Sequence, residues 1–117
     1  MKNNIHYTLQ ARRDLDAIWD HILLDLQNLP AAEHTVDSIL NVIDQLESFA
    51  ALGTPLSSIA HVNDDYRYLV SGSYMVFYRT DGSDIYIDRV LYGRRDYLRA
   101  LLADEQADTA SPNFPLF

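Results

Sequence analysis

Three runs in the second half of the chain, YRYLV, YMVFYR and DIYIDRVLY, are dense in tyrosine, valine and isoleucine, and SGS and TDGSD separate them. Aromatic and β-branched side chains fit a pleated, half-buried surface, and short Gly/Ser/Asp links carry hairpin-turn chemistry. The pattern predicts a three-stranded meander over about 65–70, 73–80 and 84–92. A meander has two faces, and one of them must be covered to make a core.

The first half supplies the cover. Leu15, Ile18, Trp19, Ile22, Leu23 and Leu26 recur at three- and four-residue steps, as on an amphipathic helix. Thr8 suits the N-cap of a helix over 9–27, and Asp14, Asp16 and Asp20 sit in its first half, where the helix dipole favours anions. NLPAAE interrupts it, with Pro30 fitted to the first turn of the next helix. Val36, Ile39, Leu40, Ile43 and Leu46 predict that helix over 30–52, stopped near Gly53 and Pro55. A short break between two helices reads as an antiparallel hairpin. IHYTL, at 5–9, is a short β-like run able to open the sheet, and a last helix is expected from Arg94 to Leu102. The expected order is β-α-α-β-β-β-α, an α+β fold with an antiparallel sheet packed against a helical hairpin. It forms one domain over 1–103, with a polar, Pro-containing and flexible tail over 104–117.

With even-length turns, strand parity fixes the faces. Arg67, Leu69, Tyr74, Val76, Tyr78, Ile85, Ile87, Arg89 and Leu91 then share the aliphatic side that meets the hairpin. The other side carries Tyr66, Tyr68, Met75, Phe77, Arg79, Tyr86, Asp88, Val90 and Tyr92. Cross-strand aromatic packing accounts for such rings, and a binding face is the competing account.

Charge limits the partners. The net charge is −8, which argues against bulk attraction to nucleic acid and against unaided sequence-specific DNA binding. It divides as −6 over residues 1–64, +1 over 65–99 and −3 over 100–117. Arginine therefore concentrates in the second half. The densest positive charge is VLYGRRDY, where Gly93 permits a sharp turn out of the sheet and Arg94 and Arg95 enter the first turn of a helix. The helix dipole disfavours cations there, and Asp96 offsets only part of that cost, so an acidic or phosphate-bearing partner explains the pair better than stability does.

Other chemistry finds little support. There is no cysteine, hence no disulfide framework and no thiolate metal site. His6, His21, His34 and His61 fall in different elements without metal-ligand spacing, so neither a metal nor a cofactor is expected. The serines show no nucleophile elbow, and DGSD reads as a hairpin turn. No run approaches the roughly 20 apolar residues of a membrane span, and MKNNIHYTLQ lacks a signal-peptide core, so a cytoplasmic location is expected.

YTLQARRDLDAIWDHI, YRYLVSGSYMVFYR and IYIDRVLYGRRDYLRALL, in this order and spacing, resemble the RelE/ParE superfamily of type II toxin–antitoxin toxins. The resemblance implies a growth-inhibiting toxin neutralised by a cognate antitoxin, with either the ribosome or DNA gyrase as target. The branch that cleaves messenger RNA on the ribosome places an arginine where Met75 stands, a tyrosine where Leu101 stands, and lysines before the meander. PLSSIAHVNDDYR has none, and only Arg95 matches a nuclease position. A thioether cannot stabilise charge on a phosphate, and leucine has no proton to give. A substitute set of Arg79, Tyr92 and Arg95 is the remaining route to an endoribonuclease. The residue content is closer to the ParE-like side, whose members bind gyrase. A non-toxic relative that only binds an antitoxin-like partner is a third reading. Candidate target- or antitoxin-binding residues are Arg67, Met75, Phe77, Arg79, Tyr86, Tyr92, Arg94, Arg95, Asp96 and Tyr97.

Overall fold

The computed structural model describes residues 2–56 and 66–93. The expected last helix, the tail, and the candidates Arg94, Arg95, Asp96 and Tyr97 lie outside the described residues.

The meander forms as the composition predicts. β3 (Tyr66–Ser71), β4 (Tyr74–Asp81) and β5 (Asp84–Tyr92) pair antiparallel. The links Gly72–Ser73 and Gly82–Ser83 are two-residue hairpins. Gly72 and Gly82 have φ of 59° and 61° while the serines do not enter positive φ, which is the signature of type II′ turns. β1 (Asn4–Tyr7) adds to β5 in parallel, and the two-residue β2 (Thr54–Pro55) pairs with β3. The sheet order is β1-β5-β4-β3-β2.

Two helices cover one side. α1 (Leu9–Asp20) starts at Thr8, whose hydroxyl accepts from the Ala11 N–H at 3.1 Å and donates to the Asp88 carbonyl at 3.1 Å. The cap thus also ties the helix to β5. α1 runs on through a π-helical segment, His21–Asp25, and the connection holds Gln27 at a φ of 51°. α2 (Leu29–Asp44) is capped by Asn28, which accepts from the Ala31 N–H at 3.0 Å, and closes in a 3₁₀ turn, Gln45–Glu47.

The expected second helix, 30–52, is cut short. Tyr78, buried in the sheet, donates its hydroxyl to the Ala50 carbonyl at 2.9 Å and accepts from the Gly53 N–H at 2.8 Å. Arg67 donates to the Gly53 carbonyl at 2.7 Å. These bonds hold the backbone after Leu46 against the sheet. Gly53 is obligatory there: a Cβ would lie 2.7 Å from the Tyr78 ring and 2.8 Å from the Tyr68 carbonyl.

The hairpin-side core joins Ala11, Ile18, Ile22, Ala32, Ile39 and Ile43 to Leu69, Val76, Tyr78, Ile85, Ile87 and Val90. Trp19, expected within it from its spacing, is only half-buried at its margin, because Ile18 and Ile22 take the central positions. A second buried cluster on the opposite side comprises Leu56, Met75, Phe77 and Leu91, with Tyr66 and Tyr68 packed on it.

The parity expectation fails at one place. Phe77 pairs with Arg89 but Tyr78 pairs with Ile87, so Asp88 is an extra residue in β5. This bulge reverses the alternation beyond it. Val90 joins the hairpin-side core and Leu91 the opposite cluster, the reverse of the sequence reading.

Candidate functional site

Three arrangements of polar and aromatic groups emerge. The first spans the sheet face away from the hairpin. Register aligns His6, Tyr86, Arg79 and Tyr66 in one row across β1, β5, β4 and β3. His6 stacks on Tyr86 at 5.0 Å, and the Arg79 guanidinium lies over the same ring at 4.4 Å. Arg79 also pairs with Asp88 at 3.3 Å. His6 meets Asp84 at 3.0 Å. Hydrogen bonds from His6 and then from Asn4 hold the Asp84 carboxyl below its usual range.

The second lies at the bulge. Arg89 is buried and grips Asp14 of α1 with both ends, Nε to Oδ2 at 2.8 Å and Nη2 to Oδ1 at 3.1 Å. The Val90 N–H donates to the same Asp14 oxygen at 2.9 Å. A bidentate guanidinium–carboxylate pair in a dry setting is strongly directional. It fixes the angle between α1 and the kinked half of β5.

The third is a groove of about 1090 Å³ between the hairpin and the far end of the sheet. Ala17, His21 and Leu26 line one wall and Ala31, His34 and Thr35 the next. The sheet end contributes Ser71 to Tyr74 and Val90 to Tyr92. Tyr74 and Tyr92 meet edge to face at 5.4 Å. Burial, and then the neighbouring Tyr92, pushes the Tyr74 hydroxyl above its ordinary value.

The described candidate residues therefore do not form one site. Met75 and Phe77 are 5% and 1% exposed and belong to a core cluster. Arg67 serves the Gly53 loop. Arg79 and Tyr86 share the aromatic row. Tyr92, 60% exposed, lines the groove. Arg79 pairs with Tyr86, six residues before Tyr92 on β5, a separation of about 20 Å at strand rise. Arg79 and Tyr92 consequently do not converge as the substitute nuclease set requires. Asp14, His21 and His34 were missed as groove residues. A signal exists in the small residues at helical steps, Ala17, Ala31 and Ser38, which mark a face that is neither core nor fully charged. Among the described residues, no group of three histidine, aspartate or glutamate side chains is placed to hold a metal ion. No described helix is long and apolar enough to cross a membrane.

A helical hairpin over a five-stranded sheet of this order is the fold of the RelE/ParE-type toxins. Several solved structures share it, among them the following two. One, from a chromosomal ParDE toxin–antitoxin system of P. aeruginosa, is 25% identical with a TM-score of 0.66, covering 80% of this chain and 98% of that one. The other, from the RelBE2 toxin–antitoxin complex of Mycobacterium tuberculosis, is 20% identical with a TM-score of 0.56, covering 79% and 99%. No curated protein gives a significant match. Residues 5–97 match the family model described as ParE toxin of type II toxin-antitoxin system, parDE. The chain belongs to that toxin family.

Proposed function

We propose that the chain inhibits growth by binding DNA gyrase and that a cognate antitoxin neutralises it. The observation that carries the first part is the state of the meander arginines. Arg67 is held by the Gly53 carbonyl, Arg79 by Asp88 and the Tyr86 ring, and Arg89 by Asp14. Metal-free RNA cleavage needs cations aimed at a phosphate and a group that moves a proton. Here the described meander cations are committed within the fold, and Met75 stands buried where the nuclease branch has arginine. A toxin that acts through a protein surface needs no such set. The net charge of −8 also suits a protein partner better than RNA. The antitoxin follows from family membership and from the two neighbours, which come from toxin–antitoxin systems.

Induced expression without antitoxin tests the reading. Replication should stall and DNA breaks accumulate while translation initially continues. Arg94→Ala with Arg95→Ala should abolish the effect at unchanged protein level, since we assign these two arginines to the gyrase complex. Prompt arrest of translation with messenger RNA cut on the ribosome would establish the endoribonuclease alternative instead. Normal growth would leave the non-toxic antitoxin-binding relative.

A further inference from the structure

The groove between the hairpin and the sheet end lies beside a stretch of the chain whose chemistry complements it. Leu26 and Tyr92 on its walls are 61% and 60% exposed. The helical walls otherwise carry short side chains, Ala17, Ala31, Thr35 and Ser38, so another backbone can approach closely. The rim is acidic. Asp14 is neutralised by Arg89 inside the fold, but Asp25 bonds the wall residue His21 at 2.9 Å. Asp20 and Asp37, both exposed, stand one helical turn from Ala17 and His34. Among the described helix residues, Arg13 is the one cation at such spacing from a wall residue.

The complement begins where β5 ends. Tyr92 lines the groove, and Gly93 follows at a φ of 73° with its N–H donated to the Ser73 carbonyl at 3.0 Å. A glycine in the left-handed region turns the chain sharply, and Ser73 is itself a groove residue, so the chain leaves the strand at the groove's edge. Residues 94–102 read RRDYLRALL. At helical spacing Tyr97, Leu98, Leu101 and Leu102 share one side, Arg95 and Arg99 border it one turn apart, and Asp96 falls on the far side. Three arginines against one aspartate leave the segment positive, opposite in sign to the rim. The family match ends at 97, so the leucines of this stripe lie past the part shared with the family model. Other occupants suit the rim less well. Residues 104–117 carry three acids and no base, and a second copy brings a net charge of −8. A segment tethered at the groove's edge is also held at an effective concentration of roughly millimolar, which a separate chain must match.

We propose that residues 94–102 dock in cis as a helix along this groove, with Tyr97, Leu98 and Leu101 on the apolar walls and Arg95 and Arg99 toward the acidic rim. The stripe supplies the burial. The rim pairs, individually weak, set the orientation. Arg94 and Arg95 therefore stay available to a larger partner surface, and the docking does not depend on what the toxin targets.

The test uses the full chain, whose lack of cysteine makes an engineered pair unambiguous. Leu98→Cys is combined in turn with Ala31→Cys, Thr35→Cys and Ser38→Cys on the wall, and with Phe49→Cys, an exposed position outside the groove, as control. A disulfide needs Cα atoms within about 7 Å. Under mild oxidation at low protein concentration, at least one wall pair should close within the chain at least tenfold faster than the control. The same series with Leu101→Cys replaces Leu98→Cys if that substitution itself weakens docking. Arg95→Glu with Arg99→Glu should slow closure severalfold, and adding Asp20→Lys with Asp37→Lys should restore it. In the cysteine-free chain, Leu98→Asp with Leu101→Asp should move the ring resonances of His21 and His34, which line the groove, and leave those of His6 in place. Equal closure of wall and control pairs in both series, or unmoved His21 and His34 resonances, overturns the proposal. Disulfides formed mainly between two chains overturn it as well and make a second copy the occupant.

Discussion

Asp14 shows how much one side chain can carry. Its carboxylate takes two hydrogen bonds from Arg89 and one from the Val90 backbone, in a pair whose side chains are 13% and 9% exposed. Removing one partner of a buried pair leaves an uncompensated charge, at a cost of about 3–5 kcal/mol. Asp14→Ala should lower the urea midpoint accordingly with little change in slope. Replacing both partners, Asp14→Leu with Arg89→Met, should recover much of that loss, because no charge is then stranded. Gly53 is constrained by space, as its missing Cβ makes room for the Tyr78 ring and the Tyr68 carbonyl. Gly53→Ala should cost about 1–3 kcal/mol by overpacking, read in the same titration. A wild-type midpoint in either single variant would refute the corresponding account.

At the scale of elements, the bulge in β5 governs the sheet. Asp88 is the extra residue, and three contacts use it: its carbonyl accepts from Thr8, its carboxylate pairs with Arg79, and the kink beside it delivers Arg89 to Asp14. Deleting Asp88 restores simple alternation with Val90 and Leu91 on their present sides, but turns Arg89 to the Phe77 side, away from Asp14. We expect that variant to keep its fold and to lose about 3–5 kcal/mol of stability, the cost of leaving Asp14 without Arg89, read as a lower urea midpoint. A native midpoint would mean that the bulge is incidental. The π-helical segment is the counterpart in the helical layer, one added residue that changes which side chains face the groove.

For the whole molecule, the tyrosines couple the fold to alkaline pH. Burial raises the hydroxyls of Tyr7, Tyr74 and Tyr78 above the ordinary 10.0. At Tyr78, hydrogen bonding by Gly53 and the nearby Arg67 pull the other way without cancelling it. A raised folded value means the native state holds these protons longer than the unfolded chain. Their contribution is complete below pH 10 and is lost as pH rises through the folded values. Denaturant midpoints measured from about pH 8 to 11.5 should fall above pH 10, and Tyr78→Phe should make that fall shallower. An unchanged slope in the variant would remove Tyr78 from the account. The sequence by itself determined the elements. Helical steps at Leu15–Leu26 and Val36–Leu46, the Thr8 cap, and the Tyr/Val/Ile runs with glycine turns are local signals, set by side-chain period and backbone sterics. They were sufficient for the α+β layout and the family resemblance. Tertiary structure alone decided the rest. The parallel docking of β1 on β5, the burial of Met75 and Phe77, the bulge at Asp88, and the separation of Arg79 from Tyr92 depend on residues distant in sequence. So does the groove, whose walls come from two helices and two strand ends, and no local period encodes a space between them.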